Sequence, residues 1–97
     1  DFTQVVVTVS LTHHRKSDFE RFEAYIQGLD EVTDCVATGG GMDYVMKTAT
    51  PSLAAFQAMM EEMLSADLQI DRYMTYIATR QVKTSRPNLA KLVANRS

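Results

Sequence analysis

The chain predicts an α+β fold: a ferredoxin-like βαββαβ sandwich, with a four-stranded antiparallel sheet and two helices on one of its faces. Three observations carry this expectation. Residues 4–12 and 43–50 alternate at period two, as strands do. Two segments instead repeat apolar residues at helical spacing: Phe19, Phe22, Ile26 and Leu29, then Leu53, Phe56, Met60 and Met63. Strand candidates flank each helical segment, so the order reads β-α-β twice. Two such units joined by a hairpin make the ferredoxin-like arrangement. Right-handed crossovers put both helices on the same side of the sheet.

Each element has its own signal. In the first strand Val5, Val7, Val9 and Leu11 point one way, and Gln4, Val6, Thr8 and Ser10 the other. Ser17 with Glu20 reads as a capping box opening the first helix. Gly28 and Asp30 mark its end. Residues 32–38 form a second strand, which the glycines at 39–41 interrupt. In the third strand Tyr44, Met46 and Thr48 lie opposite Val45, Lys47 and Ala49. Thr50-Pro51-Ser52 starts the second helix, with Pro51 expected in its first turn, where a missing N–H costs nothing. Residues 70–83, rich in Tyr, Thr and Ile, predict one long fourth strand. Residues 85–97 are expected to be a separate basic tail, in which Pro87 opens a short helix with Leu89, Leu92 and Val93 on one side. Such a tail docks on a neighbour or frays.

Bulk properties narrow the function. Ninety-seven residues make one domain with a modest core, and 45% hydrophobic residues suffice to fold it. A net charge of −2 with no long basic run argues against nucleic-acid binding by phosphate neutralisation in this segment. One cysteine, Cys35, excludes an internal disulfide and fits a reducing cytoplasm. No apolar stretch has the length to cross a bilayer. The first residue is Asp1, so a fragment of a longer regulator and a stand-alone domain are both open. Helices on one side leave the other sheet face bare and half apolar, which predicts a partner, most simply a second copy.

Between the second and third strands stands Thr38-Gly39-Gly40-Gly41-Met42-Asp43-Tyr44. Three glycines permit positive φ and leave backbone N–H groups uncovered. The run from Phe19 to Lys47, with Leu29-Asp30-Glu31-Val32, Cys35, the glycine loop and Asp43-Tyr44 in that order, resembles the effector-sensing domain (regulation of amino-acid metabolism) of the Lrp/AsnC transcription regulators of bacteria and archaea. The resemblance covers residues 5–84, so residues 1–84 are taken as the effector-binding and oligomerisation domain. It implies the fold already reached, a homodimer through the sheets, octamers or other rings of dimers, and a small effector, commonly an amino acid, bound between dimers near the glycine loop. It also implies that DNA is read by a helix-turn-helix domain absent from this chain. No cofactor, metal or membrane partner is expected.

Carried over residue by residue, the family's loop glycine falls on Gly40 and its Asp-Tyr pair on Asp43 and Tyr44. Hydroxyls that contact ligand in relatives fall near Tyr73 and Thr75. The departures are Gly39 for a loop Thr, Met42 where an aromatic is frequent, a bulkier Tyr73, and Asp30 in place of a Pro. The expected effector site is therefore Gly39, Gly40, Gly41, Met42, Asp43, Tyr73 and Thr75. The N–H groups at 39–41 suit a carboxylate, and Asp43 or a loop carbonyl suits an ammonium. The plainer alternative is that Asp43 caps the turn and Thr75 is an ordinary strand residue. His13 and His14 are adjacent, point to opposite sides and read as surface loop rather than metal ligands. Cys35 reads as a buried strand thiol, and Met59, Met60 and Met63 as core or interface filler. Two other classes compete with the sensor: a dimeric α+β barrel enzyme, haem-related or a cofactor-free monooxygenase, and a purely structural assembly module.

Overall fold

The computed structural model describes residues 1–94. Its strands are β1 (Thr3–Leu11), β2 (Val32–Ala37), β3 (Tyr44–Thr50) and β4 (Ile70–Ile77); its helices are α1 (Lys16–Gln27), α2 (Leu53–Ser65) and α3 (Leu89–Ala94). The sheet order is β2-β3-β1-β4, and all neighbours are antiparallel. This is the predicted βαββαβ topology. β1 is central. Val5, Val7 and Val9 pair with Thr48, Met46 and Tyr44 on one side and with Ile77, Thr75 and Tyr73 on the other.

The alternation in β1 does what it promises: Val5, Val7, Val9 and Leu11 are buried in the core. They meet Phe22 and Ile26 from α1 and Phe56, Met59, Met60 and Met63 from α2. Each such side chain contributes about 1.5–3 kcal/mol through burial. Thr48 is buried too, and its hydroxyl donates to the Val5 carbonyl at 2.8 Å. That bond lets a polar residue sit in the core without an unsatisfied group.

Four expectations shift. The first helix opens at Arg15, not at Ser17. The Asp18 carboxylate accepts from the Arg15 backbone N–H and from its guanidinium, both at 3.0 Å, and closes the first turn. An Asp three residues ahead of Arg15 thus outcompetes the Ser17–Glu20 pair. In the second helix Ser52 is the cap, its hydroxyl accepting from the Ala55 N–H at 3.1 Å, so Pro51 lies just outside. Leu53 is 42% exposed rather than core, while Met59, Met60 and Met63 take core places as expected. β4 ends at Ile77, six residues short of the predicted end. β1 runs two residues further, to Thr3, but the pairing stops: the last bond of this edge is Ala78 N–H to the Gln4 carbonyl. The short helix expected in the tail is present as α3, with the Asn88 side chain accepting from Lys91 N–H at 3.1 Å.

α1 packs on β2, and α2 packs on β1 and β3. Neither covers β4. Its helix-side residues Tyr73, Thr75 and Ile77 are in register with core valines yet stay exposed. On the opposite face Val6, Thr8 and Val45 are half-buried, while Met74 and Tyr76 are open to solvent.

Two outcomes are expected. Met46→Ala, at a fully buried site, lowers unfolding free energy by about 2–5 kcal/mol, whereas Leu53→Ala changes it by less than about 1 kcal/mol; urea melts of both variants check the contrast, and equal losses would contradict this burial pattern. The Arg15 guanidinium holds the Asp18 carboxyl below the ordinary carboxylate range. Stability from that contact is therefore full above the unfolded carboxylate value near pH ~3.9 and is lost as pH falls through the lower folded value. Asp18→Asn should flatten the acid limb of stability against pH; parallel limbs for the two proteins would refute the assignment.

Candidate functional site

The glycine loop hangs at the end of the sheet where β1 finishes. Its base is tied from both sides. Thr38 N–H donates to the Asp43 carbonyl at 2.9 Å, and the Thr38 hydroxyl donates to the Met42 carbonyl at 2.7 Å. Asp43 N–H donates to the Val9 carbonyl at 2.9 Å, extending the β1–β3 ladder by one rung. Between these ties Gly39, Gly40 and Gly41 are exposed, and a Cβ built on any of them would meet nothing within 4 Å. Gly40 has φ +101°, which disfavours any side chain there. The sequence expectation of an open, uncovered backbone loop describes this geometry well.

Asp43 is anchored more firmly than the sequence implied. Its Oδ2 accepts from the Leu11 backbone N–H at 2.7 Å and lies 2.9 Å from His14 Nε2. The turn-capping alternative is thus physically present. The same oxygen also holds His14, whose ring stacks on Phe19 at 5.7 Å. Phe19 in turn meets Tyr44 edge-on at 6.3 Å. His14 was expected to be free surface. It sits 29 residues from Asp43, and only the β1–β3 register brings the two together, so no local pattern could have revealed it. Ser10 lies beside this corner, buried, and its hydroxyl has no partner among the described residues.

Tyr73 and Thr75 stand elsewhere. They line an open groove of about 510 Å³ between α2 and β4, with Leu53, Phe56, Met60, Leu64 and Ile77. No residue of the glycine loop lines that groove. The seven expected site residues therefore form two groups on one subunit: the loop residues 39–43, and the β4 pair.

A second, smaller cleft of about 150 Å³ opens between α1 and the β2–β3 edge, lined by Glu23, Ile26, Gln27, Cys35, Ala37 and Tyr44. The Tyr44 hydroxyl donates to Glu23 Oε2 at 2.6 Å, and its ring lies 4.5 Å from Phe22. Burial first, and then the Glu23 carboxylate, push the Tyr44 phenol well above its ordinary value. Burial likewise raises the Cys35 thiol, which is half-buried and far from a reactive thiolate. Among the described residues no cluster of His, Cys, Asp and Glu could hold a metal ion, and no helix is long and apolar enough to cross a membrane.

Comparison with known proteins agrees with this architecture. Residues 4–88 match the model of the Lrp/AsnC ligand binding domain, and the chain belongs to that family. It is 43% identical over 81 residues to the transcriptional regulatory protein DoeX of Halomonas elongata, covering 84% of this chain and 51% of DoeX. It is 31% identical to the leucine-responsive regulatory protein of Salmonella typhimurium, covering 84% of this chain and 49% of that protein. The chain thus spans about half the length of the curated relatives it matches. Among solved structures, an AsnC family transcriptional regulator from Agrobacterium tumefaciens superposes with a TM-score of 0.83 at 23% identity, over 94% of this chain and 60% of that one. A transcriptional regulator from Neisseria meningitidis, solved as an L-Met complex, superposes at 0.81 and 22% identity, over 93% and 58%. These two structures share the fold.

Asp43→Ala leaves the Leu11 N–H without its acceptor and should cost about 1–3 kcal/mol. Tyr44→Phe removes one hydroxyl whose partner, Glu23, can rehydrate, and should cost about 1 kcal/mol. Chemical denaturation of both tests the ranking; a milder loss for Asp43→Ala than for Tyr44→Phe would show that the loop tie is slack.

Proposed function

We propose that this chain is the ligand-sensing and assembly part of an Lrp/AsnC-type transcription regulator, and that it binds a small effector, an amino acid, at a seam between dimers. DNA contact belongs to a helix-turn-helix region outside this chain. Residues 1–84 form the sensing unit and residues 85–97 an appended tail. The bare, half-apolar sheet face with Val6, Thr8, Val45, Met74 and Tyr76 supports dimerisation through the sheets.

One observation carries the effector reading: a loop of exposed backbone N–H groups at Gly39, Gly40 and Gly41, rigidly tied at its base and unobstructed above. Such a loop can receive a carboxylate. A single subunit does not enclose it, and Tyr73 and Thr75 lie in a separate groove. A closed pocket therefore needs surface from a neighbouring subunit. The Neisseria regulator, which shares this fold, was solved as an L-Met complex, and that supports an amino acid as the ligand class. The ammonium of such an effector would meet Asp43, whose Oδ2 already serves Leu11 and His14. The remaining Oδ1, or displacement of His14, would have to provide for it.

Calorimetry and solution mass, with and without each common amino acid, test the proposal. At a ligand concentration of 100 Kd a bound effector stabilises the fold by about 2.7 kcal/mol, and Gly40→Val should abolish that gain. If no amino acid changes melting or assembly, the effector reading falls, while the dimer stands or falls on mass alone. A haem-binding spectrum would favour the dimeric-barrel enzyme instead.

A further inference from the structure

After Ile77 the chain changes character. Every described residue from Ala78 to Ala94 is exposed, and three large apolar side chains of α3 (Leu89, Leu92 and Val93) are 57–69% exposed. The radius of gyration is 15.7 Å, against about 12.5 Å for a compact chain of this length. The segment projects from the body with an amphipathic helix that its own chain leaves uncovered.

Charge is sorted along the same line. Six of the ten basic residues follow Asp71 (Arg72, Arg80, Lys83, Arg86, Lys91 and Arg96), and no acidic residue does. The groove between α2 and β4 has the opposite character. Leu53, Phe56, Met60, Leu64 and Ile77 give it an apolar lining broken by Gln57, Tyr73 and Thr75, and Glu61 is its charged residue; Glu62, the other charge of α2, follows it and faces the hollow beside Tyr25 of α1. A largely apolar slot with a carboxylate on its wall complements a short apolar helix with basic flanks.

The path of the chain says whose groove is filled. Past Ala78, Gln81 borders a hollow with Gln4, Val6, Lys47 and Ala49, residues of the bare sheet face. The groove lies on the helix side. The tail therefore sets off on the face proposed to meet a second copy. From these observations we infer that residues 86–94 act as an exchanged arm: α3 of one subunit docks in the α2–β4 groove of a second copy of this chain. Leu89, Leu92 and Val93 enter the slot, and Lys91 and Arg86 face Glu61 and Glu62. The inference rests on the sheet-face dimer. It adds an intersubunit clasp that also covers Tyr73 and Thr75, so arm docking and access to those two residues compete.

Disulfide trapping tests it in a Cys35→Ser background, since Cys35 is the sole native cysteine. Two differently tagged copies are co-expressed, one with Leu92→Cys and one with Gln57→Cys, both exposed positions. Docking should make the cross-link between copies form at least about tenfold faster than a control pairing Leu92→Cys with Gln27→Cys on α1, because a held thiol has a millimolar effective concentration. Glu61→Lys with Glu62→Lys should slow it. A dimeric mass with trapping no faster than the control, or trapping indifferent to the charge reversal, overturns the arm and leaves the dimer intact. A cross-link within one chain, seen when both cysteines are placed on the same copy, also overturns it by assigning the tail to its own groove. A monomeric mass removes the dimer reading and the arm with it.

Discussion

Double-sided pairing of β1 is the constraint on which the rest depends. It is one of the two inner strands, bonded to β3 on one edge and to β4 on the other, and its inward valines are all but inaccessible. A central strand satisfies its backbone only if both neighbours are in register, and a slip of one residue would turn Val5, Val7 and Val9 out to solvent. Fixing β1 therefore fixes β3 and β4 together. It also places the glycine loop at one end of the sheet and sets Tyr73 and Thr75 level with Val9 and Val7.

The corner where β1 ends shows how that register shapes the candidate site. Asp43 N–H adds one more rung to Val9, and its carboxylate reaches back to Leu11 N–H and to His14. A loop of three glycines would be expensive to order by itself, because glycine has the most conformational freedom to lose. Here the cost is met at the base, through Thr38, Met42 and Asp43, so the glycines can remain bare. A ligand that uses their N–H groups would find them already positioned, which reduces the ordering penalty of binding.

The sheet is covered on one side and incompletely even there. Two helices shield β1, β2 and β3, and β4 keeps its inward row exposed beside α2. A domain of this size buries a modest share of its surface alone. Unfinished surfaces on both faces of β4, together with an exposed basic tail, leave apolar surface that the proposed self-association would cover.

Much of this was readable from residue order. Period-two alternation marked β1 and β3, and helical stripes marked α1 and α2, because burial on one face writes itself into local spacing. The glycine loop and its neighbouring Asp43-Tyr44 were visible for the same reason: backbone freedom is a property of residue type. Local competition was harder to read. Arg15 with Asp18 beat Ser17 with Glu20 at the first cap, and Ser52 displaced Pro51 at the second, since several residues there offer similar bonds of similar strength. The end of β4 at Ile77 was invisible because its residue types run on past the point where pairing ends: β1 continues to Thr3, yet the β1–β4 register stops at Val5 opposite Ile77. The sequence alone determined the element order, the core faces of β1 and α1, most of that of α2, and the open loop, all set by short-range periodicity and residue chemistry. Tertiary structure alone decided that His14 meets Asp43, that Tyr73 and Thr75 part from the loop, and that Leu53 faces a groove, because each depends on strand register and helix placement between residues far apart in the chain.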